Sequence, residues 1–394
     1  MQMSLMRASP TRPLPLRGVS AGPTARELRL DFFRGLALIF IFLDHIPSNQ
    51  LNWLTIRNFG FSDATEIFIF ISGYAAMVAY GGAMRRSGFV VACMRILRRC
   101  WQIYAAHIFL FMIFTAQIAY VAATFHNPMF AEEMNITRIF AEPHIVLTQA
   151  LLLRFMPTNM DVLPLYIVLL AAFPAVLFGM KKNRGLTLVV SFALYLAARQ
   201  FGWNLGAYPD RQWFFNPFTW QLLFVIGAAC GRSHGTGERF LPEWCWLSPL
   251  AAAYLLFAFL IVLTWHLPEL GRHVPDFLTR AIYPIDKTGL HPLRLVHFLA
   301  LAWLTVRFVP GDAPFLSWRL VRPVMLCGRQ SLHVFCAGIF LAFVAHFVLQ
   351  EVDGHLPMQI LVSLGGIALM TALAYLLTWY KTAEQERGKT VAAG

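Results

Sequence analysis

Charge is what this chain has least of. Of its 394 residues only 13% are charged, against about 25% in an ordinary soluble domain. That shortage excludes a molecule coated on every side by water, because the polar side chains to cover it are missing. Cysteine is also scarce, at six residues, and no C-x-x-C pair occurs. A zinc ribbon and a disulfide scaffold are therefore not expected. There is no Gly-x-Ser-x-Gly, so a serine nucleophile on a strand–helix elbow is not expected either. Residues 1–25 lack an apolar core and read as an arm rather than a cleavable signal. No internal repeat is visible, and 22 Pro and 26 Gly spread through the chain exclude a coiled coil.

Apolar residues make up 58% of the chain and aromatics 14%, with a mean hydropathy of +0.59. The apolar residues gather into about ten runs near the length a helix needs to cross a bilayer, from 30–49 to 358–380. The expectation is an all-α polytopic membrane protein of about ten transmembrane helices. A further apolar stretch, Ile145–Met156, contains Arg154 and is too short to span.

Most of the 32 Lys and Arg fall in alternate connecting segments. The positive-inside rule then puts both termini in the cytoplasm. Cys93, Cys100, Cys230, Cys245 and Cys327 gather on that same side. The net charge of +12 follows from this bias, so membrane lipid and not nucleic acid is the expected partner. The division that results is a cytoplasmic arm over 1–28, a transmembrane domain over 29–380 and a cytoplasmic tail over 381–394.

Ionisable groups inside spans are costly and mark function. The first span carries Arg34 near one end and Asp44-His45 near the other. Helical geometry puts Arg34 and His45 on one face, about 16 Å apart along the axis. The second span opens with Asp63 and Glu66, at about the depth of His45. Three carboxylates beside an imidazole are how a base is oriented and tuned; which acid touches the ring is left open. Ser72-Gly73 lies mid-span, where small residues permit a close helix or a ligand chain. Arg95, Arg98 and Arg99 open the third span, either as the basic flank that sets topology or as a phosphate-binding surface. On the outer side, Asp286 and Lys287 lead to His291, Arg294 and His297. An anionic group on a bound substrate would find its cation among Arg57, Lys287 and Arg294, with Asp63 and Asp286 beside them as substrate-binding residues.

The run Arg29-Leu-Asp-Phe-Phe-Arg-Gly-Leu-Ala-Leu-Ile-Phe-Ile-Phe-Leu-Asp-His45 resembles the first-span signature of the membrane acyltransferase type 3 superfamily. Phe59-Gly-Phe-Ser-Asp-Ala-Thr-Glu-Ile-Phe-Ile-Phe-Ile-Ser-Gly-Tyr74 is similar to its second-span signature. With further blocks such as Asp161–Val168 and Phe215–Gln221, the resemblance runs over about 26–380. It is closest to the OpgC family, which succinylates osmoregulated periplasmic glucans.

That resemblance implies a multi-pass enzyme of the bacterial inner membrane. It would carry a succinyl group from cytoplasmic succinyl-CoA, used as co-substrate with no metal, to hydroxyls of a periplasmic glucan. His45 would be the general base with Asp44, and Glu66 in reserve, as its orienting acid. Arg29, Arg34, Arg95, Arg98 and Arg99 would face the CoA phosphates, with Ser72 and Gly73 near the thioester arm. A homodimer is compatible with this reading. The rival from another class is a proton-coupled secondary transporter or exporter that uses the same buried histidine and acids.

Overall fold

The computed structural model describes residues 27–233, 244 and 246–393. Most of the expected arm 1–28, together with Cys245, lies outside the described residues. The described residues are 78% helical with almost no sheet. It begins with α1 (Leu28–Asp44), α2 (Ala64–Ala76) and the long α3 (Gly82–Thr124). Three short helices follow: α4 (Met129–Glu133), α5 (Thr137–Ala141) and α6 (Pro143–Leu151). Next come α7 (Val162–Lys182) and α8 (Arg184–Phe201), then a hairpin of β1 (Gly206–Ala207) and β2 (Arg211–Gln212). After α9 (Pro217–Ser233) and α10 (Leu247–His266) stand two short helices, α11 (Pro268–Gly271) and α12 (Asp276–Ile282). The chain closes with α13 (Pro292–Phe308), α14 (Arg322–Arg329), α15 (Ser331–Glu351) and α16 (Leu356–Ala393).

Five helical stretches among the described residues are long and apolar enough to cross a membrane: Ala64–Thr124, Val162–Lys182, Leu247–His266, Ser331–Glu351 and Leu356–Glu386. The first joins α2 to α3 through a π-helical turn at Met77–Gly81. It is broken at Gly88, whose φ of +86° no helix tolerates, so it contains two of the apolar runs. The α1, α9 and α13 helices have 17 residues each, which gives about 25 Å of rise and falls short of the ~30 Å hydrocarbon core. Large apolar side chains such as Phe109, Val189, Leu256 and Leu361 stand exposed on the outside of the bundle. An apolar outer surface over long helices is what lipid requires. Residues 381–393, expected as a separate tail, continue α16, and Ile145–Met156 folds as the end of the nine-residue α6 and the turn after it.

Sequence sets the entry to α2 locally. Asp63 Oδ1 accepts the Thr65 N–H at 2.8 Å, and Glu66 Oε2 accepts the Asp63 N–H at 2.9 Å. This reciprocal capping box satisfies two orphan amides at once. Glycine then fixes how α1 and α2 sit. A Cβ on Gly35 would lie 1.9 Å from the Val324 carbonyl oxygen of α14, and one on Gly73 would lie 2.0 Å from the Phe224 carbonyl oxygen of α9. Backbones this close admit no side chain between them, so both helices are held without slack.

Candidate functional site

Two cavities lie along the same three helices. The larger, about 890 Å³, stands at the C-terminal end of α1 and is lined by Ile41, Asp44, His45, Thr65, Asp161 and Val162, among others. The smaller, about 180 Å³, is lined by Arg34, Phe68, Ser72, Leu163 and Tyr166, with Arg99 of α3. On α2 the two are separated by the step from Thr65 to Phe68, about 4.5 Å of helical rise. On α7 the boundary falls between the neighbours Val162 and Leu163. Sequence geometry implies a single passage joining Arg34 to His45. The structure instead divides it into two cavities, end to end, parted by a layer of side chains from α1, α2 and α7.

His45 follows the last residue of α1 and is half-buried. Its Nδ1 lies 2.6 Å from the Ile41 carbonyl oxygen. A carbonyl can only accept, so Nδ1 carries the proton and Nε2 keeps its lone pair. The same carbonyl also accepts the His45 backbone N–H at 3.1 Å, and the second contact from the ring locks the imidazole in one tautomer.

The carboxylates expected to orient the ring are engaged elsewhere. Asp44 accepts a hydrogen bond from the Thr55 hydroxyl at 2.7 Å and faces Arg57 at 3.9 Å. Glu66, fully buried, pairs with Arg294 at 2.7 Å. Asp63 receives Lys287 at 2.6 Å and Arg294 at 3.0 Å. Burial alone would raise the Asp63 carboxyl, but Lys287 and Arg294 override it and hold it well below the usual carboxylate range. The orienting group for His45 is thus the backbone of its own helix, a partner with no side-chain signature.

The same ion pairs revise the expected anion site. Arg294 is 9% exposed and already spans two carboxylates, and Lys287 is already bound to one. Both tie α13 and the segment before it to the start of α2. Nearby, the Ser62 hydroxyl is 2.7 Å from His297 Nδ1, while His291 accepts the Leu293 N–H at the start of α13. Arg57, with its side chain 48% exposed, keeps only the loose contact with Asp44. Asp286 accepts the Thr288 and Gly289 N–H groups in a turn and does not line the large cavity.

At the other cavity, Arg34, Ser72 and Arg99 come together as expected, with Tyr80, Tyr166 and Ser331 completing the wall. Arg34 donates to the Ile71 carbonyl at 3.3 Å. The remaining residues expected to face phosphates lie elsewhere. Arg29 binds Glu27 and the Val309 carbonyl, Arg95 and Arg98 are exposed on α3, and Gly73 serves the contact with α9.

Among the described residues, no group of three or more His, Cys, Asp or Glu is placed to hold a metal, and Cys93, Cys100, Cys230, Cys327 and Cys336 are free thiols. Sequence reasoning passed over Thr55, which follows from the loop folding back on α1, and Asp161, Arg154 and Arg211, which line the large cavity from remote segments. No spacing rule places those segments opposite His45.

No curated protein and no solved structure matches the chain. A family model described as OpgC protein matches residues 26–382, which takes in both signature runs, both cavities and nearly every helix described. The chain belongs to the OpgC protein family.

Proposed function

We propose that the protein is an acyl-CoA-dependent O-succinyltransferase of the bacterial inner membrane, with about ten spans and both termini in the cytoplasm. It acylates hydroxyls of a periplasmic glucan. Membership of the OpgC family favours a role in glucan acylation. The observation that carries the chemistry is His45, with its proton committed to Ile41 and its basic nitrogen left for the large cavity.

The donor uses the Arg34 end. The small cavity is lined by guanidinium, hydroxyl and phenol groups, with no carboxylate among its described lining residues. A pocket of one sign suits a phosphorylated thioester. At about 180 Å³ it has room for part of an acyl-pantetheine arm and not for the nucleotide. The nucleotide would stay outside, beside the exposed Arg95 and Arg98.

The acceptor uses the large cavity. His45 Nε2 takes the hydroxyl proton as the oxygen attacks the thioester carbonyl. The C–O bond forms, the C–S bond breaks, and the electron pair leaves on the CoA thiolate. The proton held on His45 then returns to the thiolate or to water. Thiolate is a good leaving group, so no separate acid is required. The layer between the cavities must open, or the acyl arm must cross it, for the reacting atoms to meet.

The test is purified protein with labelled succinyl-CoA and a β-glucan oligosaccharide. Ester should form, and His45→Ala should slow it by about 10²- to 10⁴-fold, the range for a lost general base. An unchanged rate would remove His45 from the chemistry. Solute accumulation in vesicles without thioester consumption would establish the transporter instead.

A further inference from the structure

The large cavity holds more cations than its acids engage. Lys287 and Arg294 are matched by Asp63 and Glu66, and Arg57 stands against Asp44. Two further guanidinium groups line the same cavity, Arg154 and Arg211. Among the described residues, neither has a carboxylate within ion-pair distance. Both are exposed side chains on segments with well-formed backbones. The Tyr208 N–H donates to the Arg154 carbonyl at 2.6 Å, and Arg211 pairs with Ala207 in the β1–β2 register. Tyr208 also donates through its hydroxyl to Glu142 at 2.6 Å. The hairpin and the turn after α6 are therefore stitched into one wall.

The segments that carry them separate these two cations from the others. Arg57 faces Asp44, the neighbour of His45 in sequence, and Lys287 faces Asp63 at the start of α2, whereas Arg154 and Arg211 are carried by the turn after α6 and the hairpin. The carboxylate of a four-carbon acyl group held at His45 has Arg57 as its candidate cation. The wall formed by the hairpin and the turn after α6 is left for the other substrate. That wall also carries aromatic side chains, the surface on which a sugar ring stacks. Trp213 lines the cavity and is buried in its wall. Phe214, 47% exposed, lines the cavity beside it.

We propose that Arg154 and Arg211 form an acceptor-side anion site, which holds a carboxylate already present on the polysaccharide while the next hydroxyl is acylated at His45. The proposal rests on the acyl-transfer reading and deepens it. Each transfer of a dicarboxylic acyl group adds one negative charge to the acceptor, so the product of one round is the better ligand for the next. Multiply acylated chains would then accumulate ahead of an even scatter of single esters.

The test compares a neutral β-glucan oligosaccharide with the same oligosaccharide partly succinylated by chemical means. Equilibrium binding to the purified protein and initial rates with labelled succinyl-CoA are both measured. Wild type should bind the acylated oligosaccharide about threefold to tenfold more tightly at low salt, as charge-assisted contacts at an exposed site allow. The double variant Arg154→Gln/Arg211→Gln should lose that preference, binding the acylated oligosaccharide no more tightly than the neutral one, and the Arg→Lys pair should restore part of it.

Equal binding of the two oligosaccharides by wild type overturns the site. So does a double variant that changes only the ratio of succinyl-CoA to acetyl-CoA use, since the cations would then read the donor. Preferential binding without any ester formation would leave the anion site standing while removing the acyl-transfer reading.

Discussion

The two cavities share α1, α2 and α7, yet they are built from opposite materials. The one at His45 is wide and mixes acids, bases and aromatic rings, and its most buried charges are locked in pairs. The one at Arg34 is a fifth of that size, and the polar groups among its described lining are cations, hydroxyls and phenols set between apolar side chains. Wide and lined by groups of both signs suits a bulky polyhydroxyl acceptor that must come and go. Narrow and cationic suits the end of a slender anionic donor. Charge near the imidazole is spent largely on ion pairs between helices, whereas the cations at the other end line their cavity without a carboxylate among its described lining residues.

Substitutions can break or sharpen that contrast. The largest effect on stability is expected at the buried pairs of the wide cavity. Arg294→Gln leaves Glu66 buried and uncompensated and should cost about 3–5 kcal/mol, read as a fall in thermal unfolding temperature in detergent. If folding stays intact and only ligand affinity changes, Arg294 belongs to recognition and the contrast fails. Gly73→Val should be comparably disruptive, because a Cβ has 2.0 Å to the Phe224 carbonyl oxygen, and poor folding yield is the readout.

At the narrow cavity the expected signature is different. Arg34→Gln should weaken acyl-CoA binding by about 1–3 kcal/mol, seen as a raised KM for the donor with the acceptor KM unchanged. An equal rise for both substrates would mean that the cavities are not divided by substrate. The smallest effect is expected at Thr55→Val, which removes the 2.7 Å hydrogen bond to Asp44 and should cost about 1 kcal/mol of stability. A far larger loss of rate than of stability there would give Asp44 a part in the chemistry.

Much of this was legible from residue order. Apolar run length located the helices, and helical periodicity put Arg34 and His45 on one stripe. The second-span acids announced a helix start, and the structure uses Asp63 and Glu66 for that purpose. Other features had no local signal. The tautomer of His45 depends on a backbone carbonyl one turn back, which every helix has. The partners of Glu66 and Asp63 come from more than two hundred residues away, so their pairing with Arg294 could not be told from a carboxylate poised beside the ring. Arg154 and Arg211 sat in loops with no periodicity, and only the docking of the hairpin on the turn after α6 brings them to the same wall.

The central claim is that donor and acceptor approach the same reaction from opposite ends of one bundle. Inverted membrane vesicles carrying the protein, with β-glucan oligosaccharide sealed inside and labelled succinyl-CoA added outside, put that claim to a direct measurement. The account predicts labelled ester in the lumen, formed without entry of CoA and lost in His45→Ala vesicles. Ester appearing only when donor and acceptor share one side would contradict it.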